Sequence, residues 1–372
     1  MLTHRQLPMN SVATRQEAGK VNFPAQPGIR LPLYLTLAYV VLIVYASLYP
    51  LEHWRDLGVS PLAYLATPWP RYWTVFDLVV NIVAYVPLGF LLTLAWRQIL
   101  NRWLAALLGL LLAAVLSFCM ESLQSWLPSR VPSNVDLGCN TFGALLGALL
   151  AAFAGKRIFQ RILRLQRELL AAIPYADFGV VLLGIWLLTQ LSPETLLFGA
   201  GDLRNVLGLS PALPYAAASF IVLETGVTAC NCLAVGLFAR TLLNDCGSPY
   251  RVLALFIVLA LAVRTLGAAV LVTPNDAFSW LTPGARLGLL IGGLLLWLML
   301  LLPASLRVAL AGAALMAGTA LVNLTPPNPY SEAALAAWRQ GHFFNFNGLT
   351  RWMASLWPFV TLPYLIALGR RL

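Results

Sequence analysis

Charge is what this sequence has least of. Only 10% of its 372 residues are Asp, Glu, Lys or Arg, against 60% that are hydrophobic. A soluble domain needs a polar, charged surface, so this composition excludes one and places the chain among polytopic membrane proteins. Histidine is scarce too, and His4, His53 and His342 are too far apart in sequence to suggest a shared metal. The five cysteines have no CxxC spacing. Cys119, Cys139, Cys230 and Cys232 fall in apolar runs and Cys246 in a short loop, as expected of small thiols packed between helices. No metal and no other cofactor is expected. A cleavable signal is not expected either, because residues 1–30 are polar and lack an apolar core; they read as a cytosolic tail.

Long apolar runs are what the chain does have. Crossing about 30 Å of hydrocarbon takes roughly 17–25 helical residues. Ten runs qualify as spans, at about 31–50, 74–96, 103–127, 136–154, 175–193, 215–239, 251–273, 286–302, 304–324 and 351–369. The expected fold is therefore all-α, a polytopic membrane helix bundle. The eighth and ninth runs are divided only by Pro303. An even number of spans puts both termini on one side. The net charge of +10 could suggest nucleic acid, but the basic residues sit at the ends of apolar runs. With both termini cytoplasmic, sixteen of the 24 Lys and Arg residues fall inside and seven outside, with Arg264 within a span. That asymmetry is the positive-inside pattern of a protein whose partner is the bilayer, and no nucleic-acid partner is expected.

Residues 156–174 carry a basic amphipathic stretch, with Ile158, Ile162, Leu165 and Leu169 at helical spacing. It reads as a linker on the inner membrane surface. It would divide a four-span unit at 31–155 from a second unit of about six spans at 175–372.

Three consecutive spans of the first unit each carry an acid and an amide on one helical face: Asp77 with Asn81, Glu121 with Gln124, and Asp136 with Asn140. Unsatisfied polar groups in a bilayer cost several kcal/mol, so the pairs should face one another. The expected topology brings all three to the outer leaflet beside Arg130, as an outward-facing polar pocket. Such a pocket fits three roles: fixing helix register, binding an envelope substrate or lipid headgroup, or catalysis. Against catalysis, no nucleophile with a partnered base and no histidine belongs to the cluster. Below it, Gly143 and Gly147 form a small-xxx-small face for close helix approach, and Pro87 with Gly89 suggests a kink in the second span.

FDLVVNIVAYVPLGFLL from Phe76, the S-x-x-x-E-x-x-Q of Ser117 to Gln124, Arg130, and DLGCNTFGALLG from Asp136 closely resemble the VanZ-like family, over about residues 35–155. The resemblance implies a multi-pass protein of the bacterial inner membrane with a cell-envelope role. The family's founding member is associated with low-level resistance to the glycopeptide teicoplanin, and some relatives lie near envelope-polysaccharide genes. The family has no agreed catalytic residues. The carry-over is thus limited to the motif positions Asp77, Asn81, Pro87, Gly89, Glu121, Gln124, Arg130, Asp136, Asn140 and Gly143.

In the second unit, Glu224 and Arg264 are the charges well inside the membrane. Rise per residue puts them at overlapping depths, so an intramembrane ion pair is expected, structural or part of a transport site. The segment 326–350 is rich in aromatics and amides and fits interfacial anchoring or stacking on a sugar. Three function classes follow: an envelope protein acting on a lipid-linked or glycan substrate or on an antibiotic, an enzyme on a lipid-linked intermediate, and a transporter.

Overall fold

A computed structural model describes residues 31–49, 51, 53–68, 75–192, 195–207, 209, 213–245, 248–271, 277–326 and 344–371. The N-terminal tail, Cys246 and most of the aromatic segment, residues 327–343, lie outside the described residues. Everything regular among the described residues is helical: α1 (Leu31–Leu48), a 3-10 turn (Ala63–Ala66), α2 (Val75–Trp96), α3 (Arg102–Gln124), α4 (Asn134–Leu169), α5 (Ala176–Thr189), α6 (Arg204–Leu207), α7 (Ala217–Leu242), α8 (Pro249–Leu271), α9 (Pro283–Met299), α10 (Ala304–Leu324) and α11 (Phe344–Gly369). Each of the ten expected spans has its helix. Eight are long and apolar enough to cross a membrane, and α5 and α9 are shorter apolar helices.

Local chemistry sets the ends. Asn101 caps α3 by accepting from the amides of Trp103 and Leu104, Ser133 caps α4 from its side chain, and Thr282 caps α9 with Pro283 at the first helical position. Pro303 separates α9 from α10, as the sequence suggests.

One boundary differs from expectation. The stretch read as a separate linker is the continuation of α4, which runs unbroken for 36 residues. The run of strong helix formers after Gly155 contains no proline or glycine, so losing hydrophobicity at Lys156 does not end the helix. Its far end is tied to the second half of the chain. Ala171 N–H donates to Leu242 O and Asn244 N–H to Leu169 O, both at 2.8 Å.

In the first half, α4 lies backbone to backbone on α2. A Cβ built on Gly143 would come within 2.2 Å of Ile82 O, and one on Gly147 within 2.0 Å of Val86 O, so only glycine fits there. Helix α2 continues through Pro87. Tyr39 Oη donates to Ala84 O at 2.9 Å, one residue beyond the carbonyl left without its amide by the proline. In the second half α7 is the axis, buried at almost every position from Val227 to Leu242. Helices α9 and α10 pack along it, and Trp186, Phe198, Phe238, Trp357 and Tyr364 form an aromatic core with α5 and α11. The halves touch through Tyr34 of α1 and Phe178 of α5, whose rings are 5.8 Å apart.

Candidate functional site

The start of α2, the end of α3 and the start of α4 meet at one end of the first half, and the candidate polar residues meet with them. The bonds run between helices. Asn81 Nδ2 donates to Asp136 Oδ1 at 2.8 Å, joining α2 to α4. Asn140 Nδ2 donates to Ser117 Oγ at 3.0 Å, joining α4 to α3. Glu121, 4% exposed, accepts the backbone N–H of Ser133 at 2.8 Å through Oε2. A carboxylate is thereby seated at the amino end of α4, where unsatisfied amides and the helix dipole favour negative charge. Glu121 lies near enough to Asp136 and Arg130 to feel both charges, and Asp136 feels Asp77.

Two motif residues turn out to hold α1. Gln124 Nε2 donates to Ser47 O at 2.8 Å. Arg130 donates through Nε to Tyr49 O at 3.1 Å and through an Nη to Ala46 O at 3.0 Å. Donors at the carboxyl end of α1 satisfy carbonyls that have no intrahelical amide. Burial pushes the Arg130 guanidinium below its usual pKa, and the Glu121 charge opposes that shift.

Around Glu121 the hydrogen bonding is incomplete. The hydroxyls of Tyr64 and Tyr85, Ser122 Oγ, Asn134 Oδ1 and Asn140 Oδ1 are buried atoms without a hydrogen-bond partner. Tyr64 faces Ser122 and Tyr85 faces Ser117 without closing a bond to either, and both tyrosines feel the Glu121 charge. Tyr64 and Tyr85 are 3% and 4% exposed. A buried hydroxyl ordinarily finds a partner, so several orphans around one carboxylate mark a place prepared for another polar molecule. Sequence reasoning missed both tyrosines. Tyr64 lies in a short turn outside every span. Tyr85 is one aromatic in an apolar run, four residues after Asn81 on the same helical face, and that spacing was the available signal.

The second half treats its charges differently. Glu224 and Arg264 do not form the expected salt bridge, although each feels the other's charge. Glu224 Oε1 accepts from Thr282 Oγ1 at 2.6 Å, and Gly284 packs so closely that a Cβ there would lie 2.3 Å from Glu224 Oε2. Arg264 donates to the carbonyls of Ser192 and Thr195 and to Thr195 Oγ1. The physical reason is α5. Its 14 residues rise only about 21 Å, so it stops short of a full crossing and leaves carbonyls to be satisfied. The described chain beyond it stays buried without helix: Leu197, Phe198 and Ala200 are no more than 2% exposed. Side chains from other helices complete its backbone. Thr228 donates to Leu197 O, Asn323 to Gly201 O and Ser355 to Asp202 O, while Arg204 of the segment donates outward to Thr325 O at the end of α10. Gly201, at φ +89°, makes the turn.

No group of three or more His, Cys, Asp or Glu able to hold a metal occurs among the described residues. No curated protein sequence and no solved structure matches the chain. Residues 33–160 of this membrane protein, the helices that build the Glu121 cluster, match the VanZ/LLP1 family.

Proposed function

We propose that this is a bacterial inner-membrane protein with a cell-envelope role, whose Glu121 cluster faces outward and receives a polar group of an envelope molecule. That molecule is a surface polymer, its lipid-linked precursor, or a glycopeptide antibiotic that targets it. The observation behind the reading is the ring of orphaned buried atoms around Glu121. Formal charge narrows the ligand. Asp77, Glu121 and Asp136 gather with Arg130 as the nearby cation, and Arg130 is engaged with α1. The cluster therefore suits donors, such as sugar hydroxyls, amide N–H groups or an ammonium, and disfavours a phosphate. The two parts of the reading are tested together by complementing a deletion strain with wild type and Glu121→Gln, then measuring teicoplanin susceptibility and surface-polymer content. Glu121→Gln keeps volume and removes charge, so it should reach the membrane in wild-type amount and fail to complement. Full complementation by that variant would leave the cluster a packing device.

A transporter is the second reading, favoured by the non-helical backbone of residues 195–203. Irregular backbone at membrane depth is tolerated where it is buried in protein or lines a cavity. Under that reading, substitutions at Glu224 and Asn323 abolish the phenotype while Glu121→Gln does not.

A further inference from the structure

At the opposite end of the second half, away from Glu224, two arginines lie close together. Arg240 ends α7 and Arg307 sits in the first turn of α10; they are 6% and 9% exposed. Arg307 lies near enough to Arg240 to feel its positive charge, and Asp245 is the acid beside them. Arg240 is largely engaged, donating to Leu243 O at 3.2 Å and to Asp245. The Tyr250 ring packs 5.9 Å from its guanidinium carbon. Its Nε is nevertheless buried without a partner. Among the described residues, the Arg307 guanidinium makes no hydrogen bond or ion pair, and its Nε is buried as well. Two guanidinium groups with one acid between them, itself 83% exposed at its side chain, are short of negative charge. A buried cation without a counter-ion or acceptor is costly, so an acceptor belongs there.

The start of α10 points to the same missing group. Pro303 precedes the helix without a side-chain cap. The first intrahelical bond is Arg307 N–H to Pro303 O at 3.0 Å, so the amides of residues 304–306 come before any intrahelical acceptor. Helical side chains lean toward the amino end, which carries the Arg307 guanidinium toward those amides. Free amides, a helix dipole and a forked guanidinium are the usual components of a phosphate site. We propose that Arg307, Arg240 and the uncapped start of α10 bind a phosphate group at the membrane interface, either that of an anionic lipid or a free phosphate.

The full chain, purified in detergent, would be doped with phosphatidylglycerol or with phosphatidylcholine and analysed by native mass spectrometry. Wild type should retain phosphatidylglycerol in preference to phosphatidylcholine. Arg307→Gln should lower that retention by about tenfold, the worth of one charge-assisted bond. Arg102→Gln, which removes an exposed arginine at the start of α3, should not change it. In a parallel arm, inorganic phosphate replaces the lipid and thermal unfolding is followed. Stabilisation by phosphate alone assigns the site to a free anion; retention of the lipid without that stabilisation assigns it to a headgroup. Equal retention of the two lipids together with no effect of phosphate overturns the proposal, as does unchanged binding in Arg307→Gln. If Arg307→Gln does not accumulate, Arg307→Lys keeps the charge and loses the fork. It should then hold the phosphate several-fold less well, and wild-type binding in that variant is equally fatal.

Discussion

The two halves of this protein bury charge at helix ends in opposite senses. In the first, the carboxylate of Glu121 meets a backbone amide at the amino end of α4. In the second, the guanidinium of Arg264 meets backbone carbonyls beyond the carboxyl end of α5. Both follow the helix dipole and both supply hydrogen bonds that the backbone lacks. They differ in what remains. Arg264 and its companions Thr228, Asn323 and Ser355 are occupied in holding an irregular segment in place. Glu121 is ringed by hydroxyls and amide oxygens that hold nothing. Polar groups in a membrane protein can thus be occupied as scaffold or gather around a site.

The sharpest way to break this comparison is at Arg264. Arg264→Met leaves the carbonyls of Ser192 and Thr195 without their donor in a buried place, which should cost about 2–5 kcal/mol and lower the thermal midpoint of the detergent-purified protein. Because Glu224 has Thr282 as its own partner, adding Glu224→Gln should not restore what Arg264→Met loses. Recovery in the double variant would mean that the two charges do depend on each other.

A smaller effect is expected from the glycine seam. Gly147→Ala puts a methyl group where Val86 O now lies and forces α2 and α4 apart, at a cost of about 1–3 kcal/mol on the same thermal assay. It should also weaken whatever the Glu121 cluster binds, since that cluster spans both helices. An unchanged midpoint would show that the first half is looser than its backbone contact implies.

The smallest stability effect belongs to Tyr64→Phe, which removes a buried hydroxyl that bonds to nothing. Stability should change by less than about 0.5 kcal/mol, while complementation falls as it does for Glu121→Gln. A large loss of stability would place Tyr64 with the scaffold rather than the site.

How much of this was legible beforehand follows from what each feature needs. Spans need only length and hydropathy, and all ten expected runs became helices, including the pair parted by Pro303. Convergence of Asp77, Glu121 and Asp136 needed only alternation of helix direction across a short connection. The partners of Arg264 were not legible, because a main-chain carbonyl has no letter of its own in a sequence. Glu224, at a matching depth in the membrane, looked like the natural counterpart, and the early end of α5 supplied carbonyls instead. Tyr64 escaped notice because it lies in a turn whose only signal is its position in space. That the helical spacing after Gly155 continues α4 itself was not legible, because hydropathy reports where a membrane ends, not where a helix does.

That extension has a mechanical consequence. At 36 residues, α4 is a rod about 54 Å long. Its first residues are gripped by Glu121 through Ser133, and the chain just past its last turn is stitched to the end of α7, next to Arg240. Between residues 134 and 169 there is no loop in which a hinge could form. One continuous helix therefore joins the Glu121 end of the first half to the arginine end of the second.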